Sequence, residues 1–288
     1  MGFAQDILTS VWRDWQIVEE LGRGSYGTVY KIRREYVGRE QFAALKVIRV
    51  PSDEERADFM FSSKSIDEQR EFCREIVSDI VGEIELMSKL SGNSNIVSYE
   101  DHEVVPDGDG VGFTILIRME LLTPLAQQLA NREPDEDEVV RLGVDICKAL
   151  ELCRKQNIIH RDIKLENIFV SQSGGYKLGD FGTARRLEKT AAGLSVKGTY
   201  MYMAPEVFRR EPYGANADLY SLGILMYCLL NHRRFPFMPP YPEKVSYSDM
   251  QTAFNERLSG KKLPPPANAG KRLSEIVLKV CAYNKRAR

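Results

Sequence analysis

An α+β fold, in which a small antiparallel sheet carrying one main helix precedes a larger and mostly helical half, is predicted by three observations on this sequence. WQIVEELGRGSYGTVYKIRR alternates apolar and polar residues on both sides of a glycine cluster, the period of half-buried strands joined by a turn. Apolar residues then recur at helical spacing twice, as Ile76, Ile80, Ile84 and Met87 and as Val139, Leu142, Ile146, Leu150 and Cys153. With 288 residues at 43% hydrophobic content, the chain is long enough for two sub-domains and a sizeable core.

Taken in order, the elements follow from local chemistry. FAALKVIRV continues the sheet as a strand with one lysine among apolar residues, and the helix over Glu75 to Leu90 comes after it. The charged PSDEERADFMFSSKSIDEQRE between them reads as a solvated loop, with a lengthened helix or a docking flap as alternatives. VVPDGDGVG is a hairpin turn and GFTILIRMELL the strand after it. A helix between Asp135 and Gln156 supports the loop that follows, and ADLYSLGILMYCLL is an apolar helix. FPFMPPYPEK and PPPANAG are loops before the last helix.

Charge is plentiful but balanced: 40 Lys+Arg against 41 Asp+Glu leave a net charge of −1, so no global field recruits nucleic acid or anionic lipid. The apolar run Leu222 to Leu230 is about half of a membrane span, and no signal peptide is read at the N-terminus. These features predict a cytoplasmic protein without nucleic-acid partners. The five cysteines are scattered without a C-x-x-C pair, which suits reduced core thiols.

The chemistry is concentrated between Ile158 and Gly182, where IIHRDIKLENIFV is followed by YKLGDFG. That stretch orders Asp162, Lys164, Asn167 and Asp180 at the spacing that phosphoryl transfer from a metal-bound nucleotide requires. Gly22, Gly24 and Gly27 form G-x-G-x-x-G with Val29 beyond. A dinucleotide-binding fingerprint would start a helix at the third glycine, whereas TVYKIRR continues as a strand, so the glycines suit a hairpin whose amides approach phosphate. Lys46 on an apolar strand demands an anion, either nucleotide phosphates or a carboxylate of the next helix.

HRDIKLEN, DFG and GTYMYMAPE together resemble the eukaryotic-type (Hanks-type) protein kinases, over nearly the whole chain from about Trp15. The resemblance implies a bilobal protein kinase fold, with an N-terminal extension over 1–14, an N-lobe over 15–121 and a C-lobe over 122–288 that ends in or before its last helix. It also implies an ATP-dependent protein kinase with Mg²⁺ as metal, Mn²⁺ being an alternative ion. Asp162 would orient the acceptor hydroxyl, Lys164 face the transferred phosphate, and Asn167 and Asp180 hold the metal. Lys46 would anchor the α and β phosphates and pair with Glu83, Glu75 being the alternative carboxylate. All three acidic and basic anchors, Asp162, Asp180 and Lys46, would surround one nucleotide.

Met119 becomes the gatekeeper and Glu120 to Leu122 the hinge, with Val29, Ala44 and Phe169 against the base. No acidic residue follows the hinge where relatives hold the ribose, only Thr123 to Ala126. His160 and Phe181 are assigned to packing with Met87 and Tyr99. Arg161 would meet a phosphorylated activation loop, with Ser195 as the site and Thr190 in reserve. Lys164 and Thr199 resemble the Ser/Thr-specific pattern, so protein substrates with Ser or Thr acceptors are expected, with activation-loop autophosphorylation. Asp218 braces the catalytic loop, Glu206 pairs with Arg288, and Tyr220, where Trp is frequent, counts as a neutral exchange. Dimerisation is left open. A nucleotide-binding pseudokinase scaffold is the alternative, and a small-molecule kinase of related fold ranks below it.

Overall fold

The computed structural model describes residues 2–24, 27–61, 65–181 and 199–288. Two compact units emerge: Met1–Gly92 with Val97–Leu122, and Asn93–Ile96 with Thr123–Arg288.

The first unit is built on a five-stranded antiparallel sheet of order β1-β2-β3-β5-β4, from β1 (Gln16–Gly24), β2 (Gly27–Tyr36), β3 (Arg39–Val50), β4 (Tyr99–Pro106) and β5 (Phe113–Met119). Its two faces follow the pleat. Tyr30, Ile32, Ala43, Leu45, Val47 and Leu116 point to one face, where Ala4 and Leu8 of helix α1 (Gly2–Val11) cover them. Ile48, Val50, Ile115 and Ile117 point to the other, against Cys73, Ile80 and Ile84 of helix α3 (Ile66–Leu90). Helix α1 is thus packed against the sheet through Ala4 and Leu8.

The expected solvated loop between Lys46 and Glu83 is corrected by two helices. Asp53–Phe61 forms α2, with Asp53, Glu54 and Glu55 in its first turn, where carboxylates complement the helix dipole. α3 begins at Ile66 rather than near Glu75, because Ser65 and Glu68 close a capping box. Arg56 of α2 then reaches the β4–β5 turn, pairing with Asp107 and, at 2.7 Å, with Asp109, while Arg70 Nε donates to Gly110 O at 2.9 Å.

The second unit is mainly helical. Its small sheet comprises β6 (Thr123–Pro124), β7 (Ile168–Val170) and β8 (Tyr176–Leu178), beside α4 (Leu125–Gln128) and α5 (Glu136–Lys155). The expected helix over 135–156 is α5, capped by an Asp135/Glu138 box. Residues 199–288 add α6 (Pro205–Phe208), α7 (Asn216–Leu229), α8 (Tyr247–Leu258) and α9 (Lys271–Val280). α7 is buried almost all round, as a helix apolar on every side must be. No helix among the described residues is long and apolar enough to cross a membrane.

Candidate active site

The loop before β7 owes its shape to one buried carboxylate on α7. Asp218, 2% exposed, accepts from His160 N through Oδ2 and from Arg161 N through Oδ1, both at 2.8 Å. Burial pushes its carboxyl up, opposed by the backbone amides of His160 and Arg161 and by the Arg161 charge. The hold is needed because Arg161 has φ 69°, a left-handed backbone that costs a non-glycine residue about 1–2 kcal/mol. Arg161's guanidinium stacks over the Tyr213 ring at 5.4 Å.

His160 is fully buried and uses both ring nitrogens. Gly179 O can only accept, so Nε2 carries the proton at 3.0 Å, and Asp162 N–H can only donate, so Nδ1 is bare at 3.4 Å. Phe181 meets the same ring edge-on at 4.7 Å. A neutral imidazole engaged on both sides holds backbone and does not abstract protons.

Asp162, 4% exposed, lies at the centre of the arrangement. Its Oδ2 receives Lys164 Nζ at 2.7 Å and Asn167 Nδ2 at 2.9 Å. The same Nδ2 donates to Asp162 O at 2.8 Å. Two acceptors facing one end of the amide fix that end as NH₂ and leave Asn167 Oδ1 as the atom able to ligate a hard cation. Asp162 Oδ1 is buried with no partner among the described residues. Such an orphan is costly in a folded protein unless an incoming donor completes it. Asn167 O also accepts from Gly179 N at 2.9 Å, which ties the loop to the strand leading into Asp180. Asp180 itself is half-buried, with φ 57°.

In the first unit the three glycines differ in kind. A Cβ on Gly27, at φ 123°, would lie 2.2 Å from Val47 O, so the close approach of β3 demands glycine there. A Cβ on Gly22 or Gly24 would meet nothing within 4 Å. The protein's own packing therefore does not require glycine at those two, whereas a phosphate laid against their amides would.

Lys46 shares the face of β3 that carries Ile48 and Val50, the face that α3 covers. Glu83, 7% exposed, lies on the buried stripe of α3 beside Ile80 and Ile84, while Glu75 is exposed on the outer face. Val29 pairs with Lys46 across β2 and β3, and Ala44 pairs with Met119 across β3 and β5. Glu120 N–H donates to Ser98 O at 3.0 Å, so that amide is engaged within the protein. Leu122 is half-buried just after it, and Phe169 is half-buried on β7 of the second unit.

Glu206 of α6 and Arg288 form a buried ion pair with a 2.9 Å Nη2–Oε2 contact. Thr199 opens a 3-10 turn, Thr199–Tyr202, and Ser195 and Thr190 lie outside the described residues. Sequence reasoning missed Arg257, which is 2% exposed on α8 and bonded to Met203 O and Tyr220 Oη at 2.8 Å each. One arginine in a polar helix gives no signal from which its burial could be read.

Comparison with known proteins points one way. The protein kinase domain family matches residues 15–288. The chain is similar to serine/threonine-protein kinase TIO of Arabidopsis thaliana, at 32% identity over 86% of this chain. It is similar also to serine/threonine-protein kinase 36 of Pongo abelii, at 35% over 74%, and to serine/threonine-protein kinase dst2 of Dictyostelium discoideum, at 31% over 81%. The matched stretch is 18%, 14% and 18% of these relatives' own lengths. Helix α1 precedes the family match.

Proposed function

The chain belongs to the protein kinase family, and from that membership we infer that it transfers the γ-phosphoryl group of ATP to serine or threonine hydroxyls of protein substrates. The observation that carries this reading is the asymmetry of Asp162, whose Oδ2 is held by Lys164 and Asn167 while its buried Oδ1 has no partner among the described residues. Phosphoryl transfer asks little covalent help of a protein and much alignment. Oδ1 is the atom that orients the acceptor hydroxyl and takes its proton. Lys164, anchored on the same carboxylate, places a positive charge beside the phosphate in transit.

Lys46 binds the α and β phosphates, supported by Glu83, and the amides around Gly22 and Gly24 approach the phosphate chain. The donor set fits a divalent metal: Asn167 Oδ1 and the Asp180 carboxylate are hard oxygens, and we assign the ion as Mg²⁺. Held by these two residues, such an ion would supply positive charge against the charge that develops on transfer. Serine and threonine acceptors are supported by Lys164 in the catalytic loop and by the relatives' names.

Phosphate transfer from labelled ATP to a generic protein substrate tests the reading, with Asp162→Asn beside the wild type. A loss of about 10²–10⁴-fold in kcat is expected from removing a positioned base. Equal rates for the two proteins would overturn it.

A further inference from the structure

Arg257 carries a buried charge whose described partners are all neutral. Nη1 donates to Met203 O and Tyr220 Oη at 2.8 Å each, and Nη2 to Tyr200 O at 3.4 Å. Nε is buried without a partner among the described residues. The rings of Phe254 and Tyr220 lie 5.3 Å and 5.5 Å from the guanidinium. A buried cation compensated only by dipoles and rings is costly, and an apolar side chain of similar volume would be cheaper there.

Two of the three acceptors are main-chain carbonyls of the turn that starts at Thr199. Phe254, three residues before Arg257 on α8, packs edge-on against Tyr200 at 4.8 Å. The same turn reaches the catalytic loop, because Tyr202, between the two held carbonyls, lies beside the backbone of Leu165. Leu165 lies between Lys164 and Asn167. A continuous set of contacts therefore runs from Arg257, through the 200–203 backbone, to the loop that carries Asp162.

Tyr220 belongs to this device. Its hydroxyl oxygen accepts from Arg257, whereas an indole N–H at that position could only donate and would oppose the guanidinium. The exchange of Trp for Tyr at 220, expected to be neutral, is matched to an arginine at 257.

We propose that Arg257, held by the Tyr220 hydroxyl, is a positioning residue that fixes the 200–203 backbone against the catalytic loop and thereby sets the affinity for the polypeptide substrate. The proposal rests on the kinase reading above. Its test uses Arg257→Met and Tyr220→Phe, the second removing one oxygen only and so keeping the test open if the first fails to fold.

Amide hydrogen exchange over 199–204 is expected to rise at least tenfold in Arg257→Met and less in Tyr220→Phe, with β7 and α5 unchanged. With dephosphorylated casein as the probe, KM for casein rises about tenfold and about threefold respectively, while KM for ATP stays within twofold. In the Arg257→Met background, Tyr220→Phe adds nothing further. Unchanged exchange over 199–204 would overturn the proposal, as would a parallel loss of casein affinity, ATP affinity and thermal stability. Absence of any transfer by the wild type would sink the kinase reading instead, and the exchange measurement would still decide the contact.

Discussion

Asp218 and Arg161 stand 57 residues apart, yet Oδ1 of the first accepts the backbone N–H of the second at 2.8 Å. A side chain on α7 thereby fixes the left-handed conformation that starts the catalytic loop. Its other oxygen holds His160 N, so both oxygens of the carboxylate are engaged as acceptors.

Asp218→Asn separates these two bonds. The carboxamide keeps one acceptor and turns a donor towards the other N–H, leaving two buried donors face to face. Each unsatisfied buried group costs about 1–3 kcal/mol. We expect a loss of that size in denaturant stability together with a fall in kcat of about tenfold or more. Chemical unfolding beside steady-state assays checks it, and an Asn variant with wild-type stability and turnover would contradict the bracing role.

Helix α1 lies outside the stretch that matches the family but inside the core of the first unit. Leu8 is fully buried against the sheet, and Arg118 stacks over Trp12 at 4.6 Å and over Trp15 at 5.2 Å, which ties the helix exit to β5. Leu8→Ala removes buried methyl groups and leaves a cavity, at a cost of about 2–5 kcal/mol. A shift of the urea midpoint checks this, and a loss under about 0.5 kcal/mol would show that α1 does not support the sheet.

The clasp between α2 and the β4–β5 turn responds to acid in a defined direction. Amides of Gly112 and Val111, with Arg56, hold the Asp109 carboxyl down from 3.8 to about 2. A depressed folded value contributes stability that is present above the unfolded value and is lost as pH falls through the folded one. Asp109→Asn should therefore unfold at a lower temperature than wild type at pH 5–7. The gap should close between about pH 4 and about pH 2. Thermal scans of both proteins across that range check it, and a gap independent of pH would assign the effect to shape rather than charge.

Much of the fold and the site could be read in the sequence, for identifiable reasons. Period-two alternation announced β2 and short apolar runs announced β3 and β5, which are buried on both faces, while the stripe ending at Cys153 announced α5. HRDIKLEN and DFG carry the residue types and spacing on which the proposed chemistry rests. The insertion misled because charged composition was weighed above capping: Ser65 and Glu68, three apart, mark a helix start that the acidic run obscures. α1 is too short for its two buried residues to form a pattern. Arg257 and Tyr220 were illegible for a different reason, as each finds its partner only in the folded chain.

Glu206 and Arg288 provide a final test, since their side chains are 4% and 1% exposed and a buried pair contributes little net stability while depending on both members. Removing one leaves the other's charge uncompensated, so Glu206→Gln and Arg288→Met should each cost about 3–5 kcal/mol. The double replacement Glu206→Leu with Arg288→Met removes both charges at once and should cost less than either single change, despite leaving Ala282 O without the Nε donor now 2.8 Å away. A double-mutant cycle in denaturant measures the coupling. If the double variant loses the sum of the two single costs, the residues do not act as a pair, and the Tyr220 ring 4.5 Å from the Arg288 guanidinium is what holds that arginine.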